Sequence, residues 1–97
     1  MSNEEIQIAV IDVLREVQTI SGRPWMELQP GDKPIGALEG FDSLSGVEAT
    51  VMVEQRLGCD GLEIDSMFVS DDGTHALTIV EIANRISTLM KTKRAKA

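Results

Sequence analysis

The sequence predicts a small all-α bundle of three main helices plus one short helix, with a long loop between the first two. Three observations carry that expectation. Two stretches repeat apolar residues at three-and-four spacing behind capping-box residues, and a third does so behind an aspartate. No stretch alternates apolar and polar residues as a half-buried strand does. The chain has 97 residues and 10.6 kDa, one domain's worth, which buries about 60–65% of its unfolded surface and leaves no room for a second core or a deep cleft. A large enzyme is therefore disfavoured.

The first helix is expected from about residue 3 to 21, because Ile6, Ala9, Val10, Val13, Val17 and Ile20 share one stripe. Ser2 and Glu5 fit a capping box at its start, and Gly22 fits its stop. Residues 22–41 hold Pro24, Pro30 and Pro34 with four glycines, a composition that breaks helix and strand periods alike. So long a loop in so small a domain is either functional or anchored. Trp25, Met26, Leu28, Ile35 and Leu38 suggest that it is pinned across the core, with Trp25 as an anchor or a partner contact.

The second helix is expected over 43–57, capped by Asp42, with Leu44, Val47, Val51, Met52 and Leu57 as its apolar positions and Gly58 as its stop. Gly46 in its first turn costs about 1 kcal/mol relative to alanine and implies a close approach by another group. Residues 59–77 mix apolar side chains with Asp, Ser and Gly and admit at most one short helix, near 65–70. A last helix follows, with Thr78 and Glu81 as a second capping box and Ile79, Ile82, Ala83, Ile86 and Met90 as its stripe. The expected division is a domain over 1–90 and a basic tail over 91–97.

Sixteen acids against nine bases give a formal charge of −7 and a pI near 4.5. Lys91, Lys93, Arg94 and Lys96 supply four of the bases, so residues 1–90 carry five bases against sixteen acids, or −11. Such a field repels nucleic acid and anionic membrane surfaces. A single cysteine, Cys59, excludes an intramolecular disulfide and a multi-thiolate metal site. The acidic Ser2-Asn3-Glu4-Glu5 start does not read as a signal peptide and no apolar run approaches spanning length, so a cytoplasmic location is expected.

Catalytic constellations fail one at a time. His75 is the only histidine, and Ser43, in Phe-Asp-Ser-Leu-Ser, lacks the glycines of a nucleophile elbow. Asp60, Glu63, Asp65, Asp71 and Asp72 lack the spacing of a calcium loop. What remains is Asp42-Ser43-Leu44 at the junction of loop and helix. A serine in a first helical turn exposes its hydroxyl, and the helix N-terminus favours a phosphate attached there, which suits modification better than catalysis. The plainer reading is an N-cap aspartate followed by an ordinary first turn.

Taken with its surroundings, Gly40-Phe41-Asp42-Ser43-Leu44 resembles the Asp-Ser-Leu phosphopantetheine attachment motif of the acyl carrier protein family. The order of the long loop, the helix after the motif, a short third helix and a Thr-capped last helix, together with the acidic pI, extends the resemblance over residues 3–90. It implies a phosphopantetheine arm on Ser43, flanked by Asp42 and Leu44 and installed by a phosphopantetheinyl transferase. It also implies a non-catalytic, monomeric carrier that holds acyl groups as thioesters. Its partners would be the acyl-loading, condensing and acyl-transfer enzymes of fatty acid, polyketide or related biosynthesis. Basic patches on those enzymes would read Glu39, Asp42, Glu48, Glu54 and Glu63. Val47, Val51, Leu62, Met67 and Phe68 would line an acyl-chain cleft, unless they are plain core.

The chain departs from the family pattern at Ser45, where an acidic residue is usual, at Glu54-Gln55-Arg56 in place of a glutamate run, in its long loop and in its basic tail. These departures imply a specialised stand-alone carrier. Two alternatives stay open: an aminoacyl or peptidyl carrier, and an unmodified helical interaction module that binds through its acidic second helix and the Trp25 loop.

Overall fold

A computed structural model describes residues 2–59, 66–70 and 72–96, with side chains to residue 92. The helices are α1 (Asn3–Ile20), α2 (Pro34–Ala37), α3 (Ser43–Leu57) and α4 (Ile79–Lys96), and α1 packs against both α3 and α4. The expected all-α architecture of three main helices and one short helix is what forms.

Helix α1 begins in a complete capping box: the Glu5 amide donates to Ser2 Oγ at 3.2 Å and the Ser2 amide to Glu5 Oε1 at 3.1 Å. Its buried arc runs through Ile6, Val10, Val13, Leu14, Val17 and Gln18. That arc is turned toward Leu14 and Gln18, which leaves Ile20, expected in the stripe, 73% exposed beyond its edge. After Gly22, at φ 69°, the chain enters the long loop.

The loop is pinned as expected. Leu28, Leu38 and Phe41 are buried in the core, and Trp25 and Ile35 pack against it, while Met26 stays exposed. The Arg15 guanidinium lies 5.0 Å from the centre of the Trp25 ring, covering the anchor's outer face. The short helix forms here, at Pro34, whose fixed φ suits a first helical position. It was expected near 65–70. Residues 66–70 instead form a bend and an isolated bridge between Val69 and Ala76, held by hydrogen bonds from Leu77 N to Phe68 O (2.9 Å) and from Ser70 N to His75 O (2.8 Å). Residues 60–65 and 71 of the ambiguous stretch lie outside the described residues.

The bounds of α3 match the expectation, but its inward face does not. Ser45, Gly46, Ala49, Thr50 and Val53 point into the protein, while Leu44, Val47 and Val51 are 72%, 41% and 51% exposed. The small inward residues let the backbone of 66–68 come close. A Cβ built on Gly46 would lie 3.2 Å from Ser66 Oγ and 3.6 Å from Phe68, so the glycine answers to close approach. Thr50 Oγ1 donates to Gly46 O at 2.7 Å and accepts from the Met67 amide at 3.0 Å, joining α3 to that segment. Alanine at 46 is expected to give none of its usual helix gain of about 1 kcal/mol, since Ser66 Oγ already accepts from the Phe68 amide and resists displacement. A urea titration that finds Gly46→Ala more stable than wild type contradicts this packing.

Helix α4 starts with the second expected capping box, Thr78 with Glu81. Its first two amides are capped from the long loop: Ile79 N donates to Asp32 O and Val80 N to Pro30 O, both at 3.0 Å. Ile79, Ile82, Ala83 and Ile86 are buried and Met90 is partly so. The helix continues through Lys96, so the basic residues 91–96 extend its axis.

Candidate functional site: the N-terminus of helix α3

Asp42 stands at the N-cap with extended dihedrals, and its Oδ1 accepts from the Ser45 amide at 2.9 Å. That backbone hydrogen bond holds the Asp42 carboxyl below the usual range. Ser43 follows as the first residue of the helix; it is exposed, and no group among the described residues engages its hydroxyl. Leu44 points outward beside it. With Val47 and Val51 one and two turns further on, it makes an apolar stripe on the outer face of α3, with Glu48 exposed alongside.

Two side chains that residue type alone does not mark hold the loop against this turn. Gln18 is completely buried on α1, and its Nε2 donates to Pro24 O and Glu39 O, both at 2.9 Å, tying the two ends of the loop to one point. Its place beside Val17 and four residues after Leu14 was the only available signal. Arg23 lies over Gly40 and donates to Gly40 O, to Ser21 Oγ at 3.1 Å and to Ser45 Oγ at 3.4 Å. Gly40, at φ 75°, adopts a left-handed backbone that favours glycine, and the flexible Arg23 side chain lies where its Cβ would stand.

Of the acids expected at a docking face, Glu39, Asp42 and Glu48 are exposed around the α3 N-terminus, and Glu54 is half-buried. Glu63 lies outside the described residues. Arg56, expected to dilute the acidic helix, turns away from the outer stripe to pair with Glu16 at 3.1 Å and Asp12 at 3.9 Å on α1.

The expected acyl-chain cleft is not assembled from its named residues. Met67 and Phe68 are fully buried in the core, Phe68 packing edge-on against Phe41 at 5.4 Å, whereas Val47 and Val51 face outward because the small residues of α3 take the inward positions. Leu62 lies outside the described residues. For Met67 and Phe68 the core reading applies.

Among the described residues, a cluster of hydroxyl, carboxylate and imidazole groups closes a turn. Asp72 Oδ1 accepts from Ser70 Oγ (2.6 Å), Thr74 Oγ1 (2.7 Å) and the Thr74 amide (3.1 Å), and Thr74 Oγ1 meets His75 Nδ1 at 2.7 Å. Ser70 Oγ meets His75 only at its backbone amide, so the geometry builds no nucleophile–base pair. Among the described residues no group of His, Cys, Asp or Glu could hold a metal ion, and no helix is long and apolar enough to cross a membrane. Comparisons with family models, curated proteins and solved structures returned no match.

The caps predict acid sensitivity. The hydrogen bonds from Ser70 and Thr74 lower the Asp72 pKa to about 2, and backbone hydrogen bonds at Ser2, Ser45 and Thr78 lower Glu5, Asp42 and Glu81. A carboxyl depressed in the folded state contributes stability that is present above its ordinary pKa and is lost as pH falls through the folded value. The thermal midpoint is therefore expected to fall as pH drops from about 4 toward 2, and Asp72→Asn to flatten the lower part of that fall. An unchanged pH profile in the variant removes Asp72 from the account.

Proposed function

We propose that the chain is an acyl carrier protein whose phosphopantetheine arm is attached to Ser43. The observation that carries this reading is an exposed hydroxyl, without a partner among the described residues, on the first residue of a capped helix, bordered by an outward leucine and an apolar stripe. The stripe also favours a second reading, an unmodified helical module that binds a protein through α3.

In the carrier reading the Ser43 oxygen attacks the phosphorus of coenzyme A that bears pantetheine. Adenosine 3′,5′-bisphosphate leaves, a base on the transferase takes the hydroxyl proton, and a phosphodiester remains on Ser43. An arm held on Ser43 would supply a thiol able to carry an acyl group as a thioester, while bond making would stay with the transferase and with the loading, condensing and acyl-transfer enzymes. Those partners dock on Leu44, Val47 and Val51, oriented by Glu39, Asp42 and Glu48. The carrier acts as a cytoplasmic monomer in a dedicated pathway, with acyl rather than aminoacyl or peptidyl cargo favoured by its acidity.

The test is intact mass after incubation with coenzyme A and a broad-specificity phosphopantetheinyl transferase. Wild type is expected to gain the mass of one phosphopantetheine and Ser43→Ala none. An unchanged wild type, or a gain that survives Ser43→Ala, sinks the carrier reading and leaves the interaction module. A second expectation concerns Leu44. Because its side chain is mostly in solvent, Leu44→Glu is expected to alter unfolding free energy by less than about 0.5 kcal/mol, while slowing arm transfer at least about tenfold through a lost interface contact. An unaltered transfer rate takes Leu44 out of the docking surface.

A further inference from the structure

We infer that the docking surface spans two helices: Ile20 of α1 joins Leu44, Val47 and Val51 of α3, and the combined face takes a partner surface with an apolar ridge flanked by basic side chains. The inference rests on the reading of α3 as a docking helix, which the carrier and the interaction module share.

Side-chain contacts fix how the two helices lie. Near the start of α3, one nitrogen of Arg23 donates to Ser21 Oγ at 3.1 Å and to Ser45 Oγ at 3.4 Å, so the residues that follow Ile20 and Leu44 meet at a single group. Near the end of α3, Arg56 reaches back along α1 to Glu16 at 3.1 Å and Asp12 at 3.9 Å. The helices therefore run antiparallel, and a cleft lined by Val13, Glu16, Met52, Gln55 and Arg56 opens between them. Residues three or four apart on a helix are surface neighbours, so each wall of the cleft can be followed toward the start of α3. On α1 the wall passes from Val13 and Glu16 to Ile20, four residues after Glu16 and seven after Val13. On α3 it passes from Met52 to Glu48 and Leu44 at four-residue steps.

An apolar side chain exposed singly is ordinary, and Ile8 on α1 is one. Among the described residues six large apolar side chains are exposed, and four of them, Ile20, Leu44, Val47 and Val51, belong to this one face, which marks a surface that is covered in use. The charges around it say by what. Glu39, Asp42 and Glu48 are exposed beside it, while Arg56, the base lining the cleft, is already paired with Glu16 and Asp12. A second copy in a symmetric pair would set the same acids against one another. The occupant that fits is an apolar surface rimmed by lysine or arginine.

A synthetic amphipathic helix with leucines on one face and lysines on the others is the probe, titrated into the full chain and followed by nitrogen-15 NMR. Amides 19–21 are expected to shift together with amides 43–52. Ile20→Gln is expected to weaken peptide binding at least about fivefold, and Ile8→Gln by less than about twofold. Ile8 is the matched control, exposed on the same helix but twelve residues earlier and about a third of a turn around it. Both side chains are mostly in solvent, so both variants keep the fold, and glutamine leaves the net charge alone, so the contrast reports apolar contact in an unchanged field. Shifts confined to α3, equal effects of the two variants, or no binding by the wild-type chain overturn the inference, as does a dimer of the chain that Ile20→Gln dissolves. Failure of arm transfer in the mass assay, with the peptide result intact, removes the carrier reading and keeps the two-helix face.

Discussion

Gln18→Leu is expected to lower the unfolding free energy by about 3 kcal/mol, close to half of what a domain of this size often has. Leucine fills a similar volume on α1, so cavity formation contributes little. The cost comes from the loop: Pro24 O and Glu39 O each lose a 2.9 Å hydrogen bond from Nε2 at a point where the amide itself is fully withdrawn from water. An acceptor left unpaired in that setting costs about 1–3 kcal/mol. Removing Gln18 Oε1, which has no partner among the described residues, returns a part of this. Urea denaturation measures the difference, and a loss under about 1 kcal/mol would mean that the loop is held by its apolar anchors alone.

Phe68→Ala is expected to cost about 4 kcal/mol, as large-to-small changes at sealed aromatic sites do. Phe68 is fully buried, stands edge-on to Phe41 and lies against Gly46, so it joins the end of the long loop, α3 and the 66–68 segment. The hole left behind cannot close easily, because the Thr50 to Met67 hydrogen bond holds the backbone beside it. Leu44, also large and apolar but mostly in solvent, provides the control: its change is expected to leave stability nearly untouched. If Phe68→Ala proves as mild as that, the segment is not part of the core.

These two sites mark where sequence reasoning succeeds and where it stops. Capping boxes at Ser2 and Thr78, the Asp42 cap and the Gly58 stop are local chemistry, and the ends of α1 and α3 and the start of α4 follow from them. The Ser43 turn was legible for the same reason. The inward face of α3 was not, because the helix has two candidate stripes and the larger residues occupy the outer one. The apolar spacing marked Leu44, Val47 and Val51, whereas the buried face is Ser45, Gly46, Ala49, Thr50 and Val53, with Gly46 close against Ser66 and Phe68. Gln18 and Arg23 were harder still, since all their partners but Ser21 lie 6 to 22 residues away in the chain.

The carbonyls of Pro30 and Asp32 that cap the first amides of α4 give the long loop a reach beyond its own residues. Opening the loop uncovers the Ile79 and Val80 amides, so the loop and the first turn of the last helix form one cooperative unit for hydrogen exchange. Those two amides then act as built-in reporters of loop opening: their exchange should accelerate in Gln18→Leu while amides in the middle of α4 keep the protection set by global unfolding. A binding event that rigidifies the α3 N-terminus would be visible as slower exchange at Ile79 and Val80, in another part of the chain.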